Sequence, residues 1–119
     1  MKNKLFYFSL LVLFFILVVT SCNSGGGSYT VRYEITGPQA IANQVSWYNE
    51  TANMDSITNV PIPWEKTITV QGRYISVGCL AVIYPSNGST YTAKIFVNGR
   101  EYKTASSSSG SVTVTGVID

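Results

Sequence analysis

The chain has 119 residues, of which only 12% are charged, and it contains no histidine. Lys2 and Lys4 account for the whole formal net charge of +2, so the rest of the chain is neutral and lacks the basic excess of a nucleic-acid binder. The missing imidazole excludes Ser-His-Asp and Cys-His nucleophile arrangements. We therefore expect one small domain that is not an enzyme, takes no metal or cofactor and binds no nucleic acid.

The N-terminal segment has the pattern of an export signal. Lys2 and Lys4 precede an apolar run over residues 5–19, which only Ser9 interrupts. The 15 residues of this run are too few for a membrane-spanning helix, which needs about 20. They match the apolar region of a secretory signal, which is about 7 to 15 residues long. We therefore predict a signal peptide over residues 1–21.

The run ends in Val19-Thr20-Ser21-Cys22, which resembles the bacterial lipobox. In that resemblance the sulfur of Cys22 accepts a diacylglyceryl group, and cleavage leaves Cys22 as a lipidated N-terminus with fatty acids such as palmitate. Two alternatives stay open: an uncleaved membrane anchor with an incidental cysteine, and an ordinary signal cut nearby. Because each buried methylene adds about 0.8 kcal/mol of membrane affinity, a lipid on Cys22 predicts a protein tethered to a membrane of the bacterial cell envelope.

Residues 22–28 predict a flexible tether between the lipid and the domain, because glycine and serine runs behave as random coil. A six-residue tether of this kind reaches about 13 Å, so the domain is expected close to the bilayer. Asn23 follows the cysteine, where an aspartate would be associated with inner-membrane retention in a Gram-negative cell. The outer membrane is therefore the predicted location.

Residues 29–119 have the pattern of an antiparallel all-β domain. Apolar and polar residues alternate over residues 29–36 and 64–70, as in strands with one solvated face. Further strand patterns cover residues 45–49, 73–84, 91–97, 101–104 and 111–115. Asn98-Gly99, between two of these runs, predicts a type I′ hairpin. Seven or eight short strands at this spacing predict an immunoglobulin-like β-sandwich over residues 29–119.

The alternation also predicts which side chains form the core. The inward set is Val31, Tyr33, Ile35, Val45, Trp47, Ile68, Val70, Ile75, Val77, Cys79, Ala81, Ile95, Val97, Val112 and Val114. The opposite face of the run 73–84 is apolar as well and carries Tyr74, Leu80, Val82 and Tyr84. This second face either meets a loop or the chain end, or it forms an exposed strip that docks a partner protein.

The sequence also predicts where two prolines, one tryptophan and one cysteine lie in the fold. Pro61 and Pro63 mark a sheet edge or a crossover between sheets, because proline cannot donate to a β-ladder. Trp64 is interpreted as a plug at one end of the sandwich, with ligand stacking as the alternative. Cys79 lies in an apolar run and has no disulfide partner once Cys22 carries lipid, so we predict a buried thiol.

Four short stretches occur in an order and spacing typical of a known family. They are Tyr33-Glu34-Ile35-Thr36-Gly37, Val60-Pro61-Ile62-Pro63-Trp64-Glu65-Lys66-Thr67, Val97-Asn98-Gly99-Arg100 and Ser108-Ser109-Gly110. Together they resemble the mycobacterial membrane protein small family, called MmpS. The resemblance implies an extracytoplasmic β-sandwich that assists a resistance-nodulation-division (RND) type exporter of lipids or siderophores. The family has a transmembrane anchor and often a late cysteine pair, whereas this chain has a lipobox and Ala93.

These features predict a lipid-anchored envelope module that binds a membrane transporter or another envelope protein. The alternative is a structural or adhesive surface lipoprotein that binds glycan or assembles with copies of itself. Asp55-Ser56-Ile57 resembles the short O-glycosylation signal of exported Bacteroidota proteins, which makes Ser56 a candidate for modification. The other interpretation of this stretch is an ordinary polar loop.

Overall fold

The computed structural model describes residues 27–119, which form six β-strands. The strands are β1 (Gly27–Tyr48), β2 (Met54–Gly72), β3 (Ile75–Val82), β4 (Tyr91–Val97), β5 (Arg100–Ser107) and β6 (Ser111–Ile118). All paired neighbours are antiparallel, which confirms the predicted all-β antiparallel class. The predicted signal peptide, Cys22 and residues 23–26 lie outside the described residues, and β1 begins inside the segment predicted as a tether.

Strand β1 organises the sheet because it pairs with three other strands. It pairs with β2 along almost its whole length, with a register shift between Ile35 and Ala40. On its other side β1 pairs with β4 before the shift and with β3 after it. β5 extends the first half of the sheet beyond β4, and β6 extends the second half beyond β3. The two halves face one core, and β5 and β6 come into contact.

Gly37 lies at the bend of β1. Its φ of +149° is in the region that favours glycine. The backbone also runs so close to Tyr91 that an added Cβ at this position would lie 2.6 Å from Cδ1 of that ring. The ladder with β2 resumes at Ala40. Gly37 and Pro38 follow the predicted strand 29–36 and are of residue types that usually end a strand, but here they are part of a bend inside one strand.

The predicted number of strands was wrong, since six strands form one bent sheet instead of the seven or eight of an immunoglobulin-like sandwich. The sequence pattern separated residues 29–36 from 45–49 and assigned no strand to residues 54–62, but β1 and β2 pair through all three stretches. Backbone pairing across the bend satisfies N–H and C=O groups that a break would expose. Strand β3 is also shorter than the predicted run 73–84.

The tight turn between β4 and β5 is confirmed. Asn98 and Gly99 have φ angles of 51° and 81°, the positive values that a type I′ turn requires at both positions. The side chain of Asn98 also accepts a hydrogen bond from the backbone N–H of Thr30 at 2.9 Å. The turn is therefore fastened to the start of β1 as well as closing its own hairpin.

The core follows the predicted inward face closely. Every residue of the predicted set is buried except Val97, which is half-buried beside the turn. The core also contains seven residues that the pattern did not single out: Ala42, Val60, Ile62, Ile83, Tyr91, Ala93 and Ile118. Three of them flank the bends of β1 and β2, where the alternation is shifted and the inward positions cannot be counted from a single strand pattern.

Candidate functional site

The four residues of the predicted docking strip are spread along β3. Tyr74 and Tyr84 are 74% and 77% exposed and lie just beyond opposite ends of the strand, whereas Leu80 and Val82 are half-buried. A strand of this length spans about 26 Å, so the two tyrosines belong to different ends of the domain. The structure thus separates the strip into two exposed rings and a partly covered middle.

Polar side chains flank the middle of the strip on both sides. Residues directly opposite each other in an antiparallel ladder share a face, and the partners of Leu80 are Ser46 on β1 and Thr113 on β6. Val82 has Gln44 and Ser111 in the same positions. This part of the sheet face is therefore a mixed polar and apolar surface.

Ser46 and Ser56 form a hydrogen-bonded cluster on that face. Their hydroxyl oxygens are 2.7 Å apart, and Nε2 of Gln44 donates to both at 3.2 and 3.3 Å. Ser46 is buried, and this cluster satisfies its hydroxyl. Ser56, the candidate for O-glycosylation, is exposed and lies on β2, where the alternative interpretation expected a loop. O-glycosylation of Ser56 would remove its hydroxyl proton, so Ser56 could no longer donate a hydrogen bond to Ser46.

Strand β2 forms a free edge of the sheet, because it pairs with β1 alone among the strands of residues 27–119. Residues 54–59 are all exposed, and among them Met54 and Ile57 keep 50% and 41% of their surface in solvent. The proline pair Pro61 and Pro63 correctly predicted a sheet edge. The exposed apolar side chains beside it were missed, since residues 54–59 do not alternate in the sequence.

Trp64 lies at the bend of β2 and has two environments. It packs against the core, where its ring centre is 5.4 Å from that of Trp47 with the planes tilted by 43°. It also lines an open groove of about 260 Å³, together with Glu34, Thr36, Pro63 and Glu65. The contact with Trp47 supports the interpretation of Trp64 as a core plug, although it lies at the bend within β2 instead of at one end of a sandwich. The groove keeps the ligand-stacking alternative open.

The outer face next to this groove carries charges that pair with one another. Arg32 forms ion pairs with Glu34 and, at 3.6 Å, with Glu65. Its guanidinium group also lies 4.1 Å from the centre of the Phe96 ring, as in a cation–π contact. Because one cation is shared by two carboxylates, a ligand at the Trp64 groove meets a net negative charge.

A larger groove lies where the chain enters the domain. It has a volume of about 560 Å³ and is lined by Gly27, Tyr29, Gly72, Arg73, Tyr74 and Asp119. Gly27 pairs with Gly72, so the first residue of β1 lies beside the β2–β3 turn. The groove combines two aromatic rings with one cation and one carboxylate. Of these residues, the sequence pattern singled out Tyr74 alone. The others are brought together only by the pairing of β1 with β2 and of β3 with β6.

Two buried groups have strongly raised pKa values. Cys79 is the one cysteine within residues 27–119, and it is free and buried, which confirms its predicted place. Desolvation raises the pKa of its thiol to about 12. Desolvation likewise raises the pKa of the Tyr33 hydroxyl to about 12, against the opposing effect of its hydrogen bond with Gly78. Both groups are therefore neutral at physiological pH and belong to the core.

Comparison with known proteins gives one family. The family model described as Mycobacterium membrane protein matches residues 27–117, which covers nearly all of the described sheet. No curated protein matches the chain significantly. Over residues 27–119, no helix is long and apolar enough to cross a membrane.

Proposed function

This chain belongs to the MmpS-type family of mycobacterial membrane proteins, and from that premise we propose that it is a tethered accessory module of an RND-type membrane exporter. Family membership makes it a membrane-associated protein of the cell envelope. In this proposal the β-domain binds an extracytoplasmic segment of the exporter and performs no catalysis. The proposal of a non-enzymatic role rests on the sequence, which contains no histidine.

The proposed anchor is a lipid on Cys22, which lies outside the described residues. Its supports are the lipobox-like residues 19–22 and the 15-residue length of the apolar run before them. Asn23, in place of an aspartate, supports a location at the outer membrane. The anchor and the exporter contact are separate parts of the proposal, because an uncleaved membrane segment would tether the same domain.

The observation that carries the exporter contact is the free edge of β2. An exposed edge strand offers unpaired N–H and C=O groups to an extended segment of another protein, and alternate side chains then provide specificity. Ile57 lies three positions after Met54, an odd offset, so the two side chains lie on opposite faces of the strand. An added strand at residues 54–59 would therefore cover apolar surface on both faces.

The rest of the edge is protected in the usual ways. Pro61 and Pro63 lack a backbone N–H, and the exposed Glu65 and Lys66 bring charge to the strand, which are devices that keep edges from pairing. Residues 54–59 contain no proline or lysine, and Asp55 is their one charged side chain. The contrast within one strand favours residues 54–59 as the docking segment.

Site-specific photocrosslinking in native membranes tests this contact. With benzoylphenylalanine in place of Ile57 in the full chain, we expect a crosslinked product that contains an exporter subunit. The same probe in place of the exposed Thr104 of β5 is the matched control and should give no such product. A pattern without a reproducible partner at position 57, or equal capture from both positions, would contradict the proposal.

Substitutions that introduce a charge test whether the exporter binds the edge of β2 or the predicted docking strip. Ile57→Lys should lower capture by a probe at Thr58 roughly tenfold, which corresponds to about 1.4 kcal/mol of binding free energy. The predicted strip of Tyr74, Leu80, Val82 and Tyr84 remains a second proposed contact. Leu80→Lys tests it in the same assay: a loss of capture with Leu80→Lys and none with Ile57→Lys would move the docking site to the strip.

The Trp64 groove favours one alternative function. An aromatic ring beside carboxylates suits a sugar, which stacks on the ring and donates hydroxyl hydrogen bonds, and the groove offers Glu34 and Glu65 next to Trp64. The alternative is thus a structural or adhesive surface lipoprotein that binds glycan or assembles with copies of itself. Protease treatment of intact cells separates the two: release of the domain supports the surface protein, and protection supports the periplasmic accessory.

A further inference from the structure

The groove next to the start of β1 contains an exposed tyrosine, Tyr74, in a conformation that does not favour the stability of the fold. Tyr74 is 74% exposed and has a φ of 53°, which is the left-handed region. A bulky residue there is a genuine outlier, because the left-handed conformation brings its Cβ too close to the following carbonyl oxygen. A glycine or asparagine would fit this turn better and would expose less apolar surface. The ring is therefore held in solvent at an energetic disadvantage.

The exposed ring is part of a cluster at one end of the domain. Tyr29, Arg73 and Asp119 line the same groove. Val117 of β6 is 51% exposed and pairs with Ser76, next to the start of β3 and hence at the same end. Two aromatic rings, an apolar side chain, one cation and one carboxylate thus share the surface where β1 begins.

The position of this end relative to the membrane follows from the chain that leads to it. Four residues separate Cys22 from Gly27, and seven separate the apolar run 5–19 from Gly27. Five steps of extended chain span at most about 18 Å, and the headgroup layer is about 5 to 8 Å thick on each side of the hydrocarbon. Whether the anchor is a lipid on Cys22 or the apolar run itself, this end of the domain is the one nearest to the bilayer.

We propose that this end, formed by Tyr29, Arg73, Tyr74 and Asp119, rests in the phospholipid headgroup layer of the membrane that holds the anchor. Tyrosine rings concentrate at membrane interfaces, where one edge is apolar and the hydroxyl stays hydrated. Arg73 suits the phosphate of a zwitterionic headgroup and Asp119 suits its ammonium group. The contact orients the sheet so that the free edge of β2 has a defined direction relative to the membrane.

This inference rests on the tether of the proposed function and is independent of the exporter. It is tested with the full, membrane-anchored chain in vesicles of phosphatidylethanolamine and phosphatidylglycerol, which contain no exporter. A spin label is attached at Val117→Cys, and its accessibility to a water-soluble relaxing agent is measured. Cys79 is buried and does not compete for the label. Cys22 is blocked where it carries the lipid, and Cys22→Ser removes its thiol where the apolar run is the anchor. A label at Ser109→Cys, in the loop before β6 at the opposite end, is the reference.

We expect the label at position 117 to be shielded in vesicles relative to detergent, and the label at position 109 to be equally accessible in both. Tyr74→Gly should return the accessibility at position 117 to its detergent value. Because glycine relieves the strained φ, this variant keeps its fold. Tyr84→Ala removes an equally exposed ring at the far end of β3 and should leave the shielding unchanged.

Two results would overturn the inference. One is that the label at position 117 is equally accessible in vesicles and in detergent when Tyr74 and Tyr84 are both present. The other is shielding that persists fully in Tyr74→Gly, or that Tyr84→Ala removes just as well. Neither result bears on crosslinking from position 57 in native membranes, so a failure here is distinguishable from a failure of the exporter contact.

Discussion

Tyr33 connects the two halves of the sheet through its hydroxyl group. The side chain is fully buried on the first half of β1. Its hydroxyl donates to the carbonyl of Tyr48, at the end of the same strand, at 2.9 Å, and accepts from the N–H of Gly78 on β3 at 3.2 Å. One phenol therefore satisfies backbone groups in the opposite half of the sheet, in addition to the apolar burial of its ring.

Tyr33→Phe should lower the free energy of unfolding by about 1 to 3 kcal/mol, because the ring stays but two backbone groups lose their buried partner. Urea denaturation followed by tryptophan fluorescence measures this change. The matched control is Tyr102→Phe, which removes a hydrogen bond from an exposed hydroxyl to the carbonyl of Val117 and should cost less than about 0.5 kcal/mol. Equal effects of the two substitutions would show that the Tyr33 hydroxyl has no special role.

At the scale of the element, the bend of β1 and β2 determines how the strands are shared. The first half of β1 pairs with β4 and its second half pairs with β3, so one strand belongs to both halves of the sheet. Gly37 makes the bend without a clash because it has no Cβ, and the ring of Tyr91 occupies the space that a side chain would need. The bend therefore depends on a close approach that any larger residue prevents.

Gly37→Ala should reduce the free energy of unfolding by about 2 to 4 kcal/mol, since it adds both an unfavourable φ and an overpacked contact. Gly99→Ala is the control, because Gly99 also has a positive φ but no atom lies within 4 Å of an added Cβ. The difference between the two variants in thermal or urea unfolding reports the contact with Tyr91 together with the less accessible φ of Gly37, which is 149° against 81° for Gly99. A Gly37→Ala variant no less stable than Gly99→Ala would rule out the close approach as the cause of the bend.

At the scale of the whole molecule, burial in the common core links the ionisation of two side chains to the unfolding of the domain. Tyr33 and Cys79 both belong to that core, and burial raises both pKa values to about 12. In the unfolded chain the thiol ionises near 9 and the phenol near 10. Between these values and 12 the unfolded chain binds fewer protons than the folded one, so stability falls as the pH rises.

We expect the free energy of unfolding to be constant with respect to these two groups below about pH 9 and to decline steadily from there toward pH 12. Urea unfolding between pH 7 and 11 measures the decline. Cys79→Ala removes the thiol, so the decline of that variant should begin nearer pH 10, with a lower but constant stability at neutral pH. If the decline started at the same pH in both proteins, Cys79 would not contribute to it.

Much of the fold follows from alternation in the sequence. Val31, Tyr33 and Ile35 were correctly predicted to face the core, because a strand places every second side chain on one face whatever its neighbours are. Asn98-Gly99 was correctly predicted as a turn, since few residue pairs accept positive φ at both positions. These are local properties, and local sequence suffices for them.

The bend and the candidate surfaces could not be predicted in the same way. Gly37 and Pro38 are typical of a chain break, and only the pairing of β1 with β2 on both sides makes them a bend. Residues 54–59 carry no strand pattern, because a free edge exposes both of its faces. Tyr29 and Asp119 are far apart in the chain, and only the sheet brings them to the groove that Tyr74 lines.

The sequence by itself determined an antiparallel β-domain, most of its inward face and the family to which it belongs. The tertiary structure alone decided the number of strands, the free edge of β2 and the cluster at the end where the chain enters. The reason is physical: side-chain alternation and turn chemistry depend on adjacent residues, whereas edges, bends and grooves depend on which distant backbone groups pair.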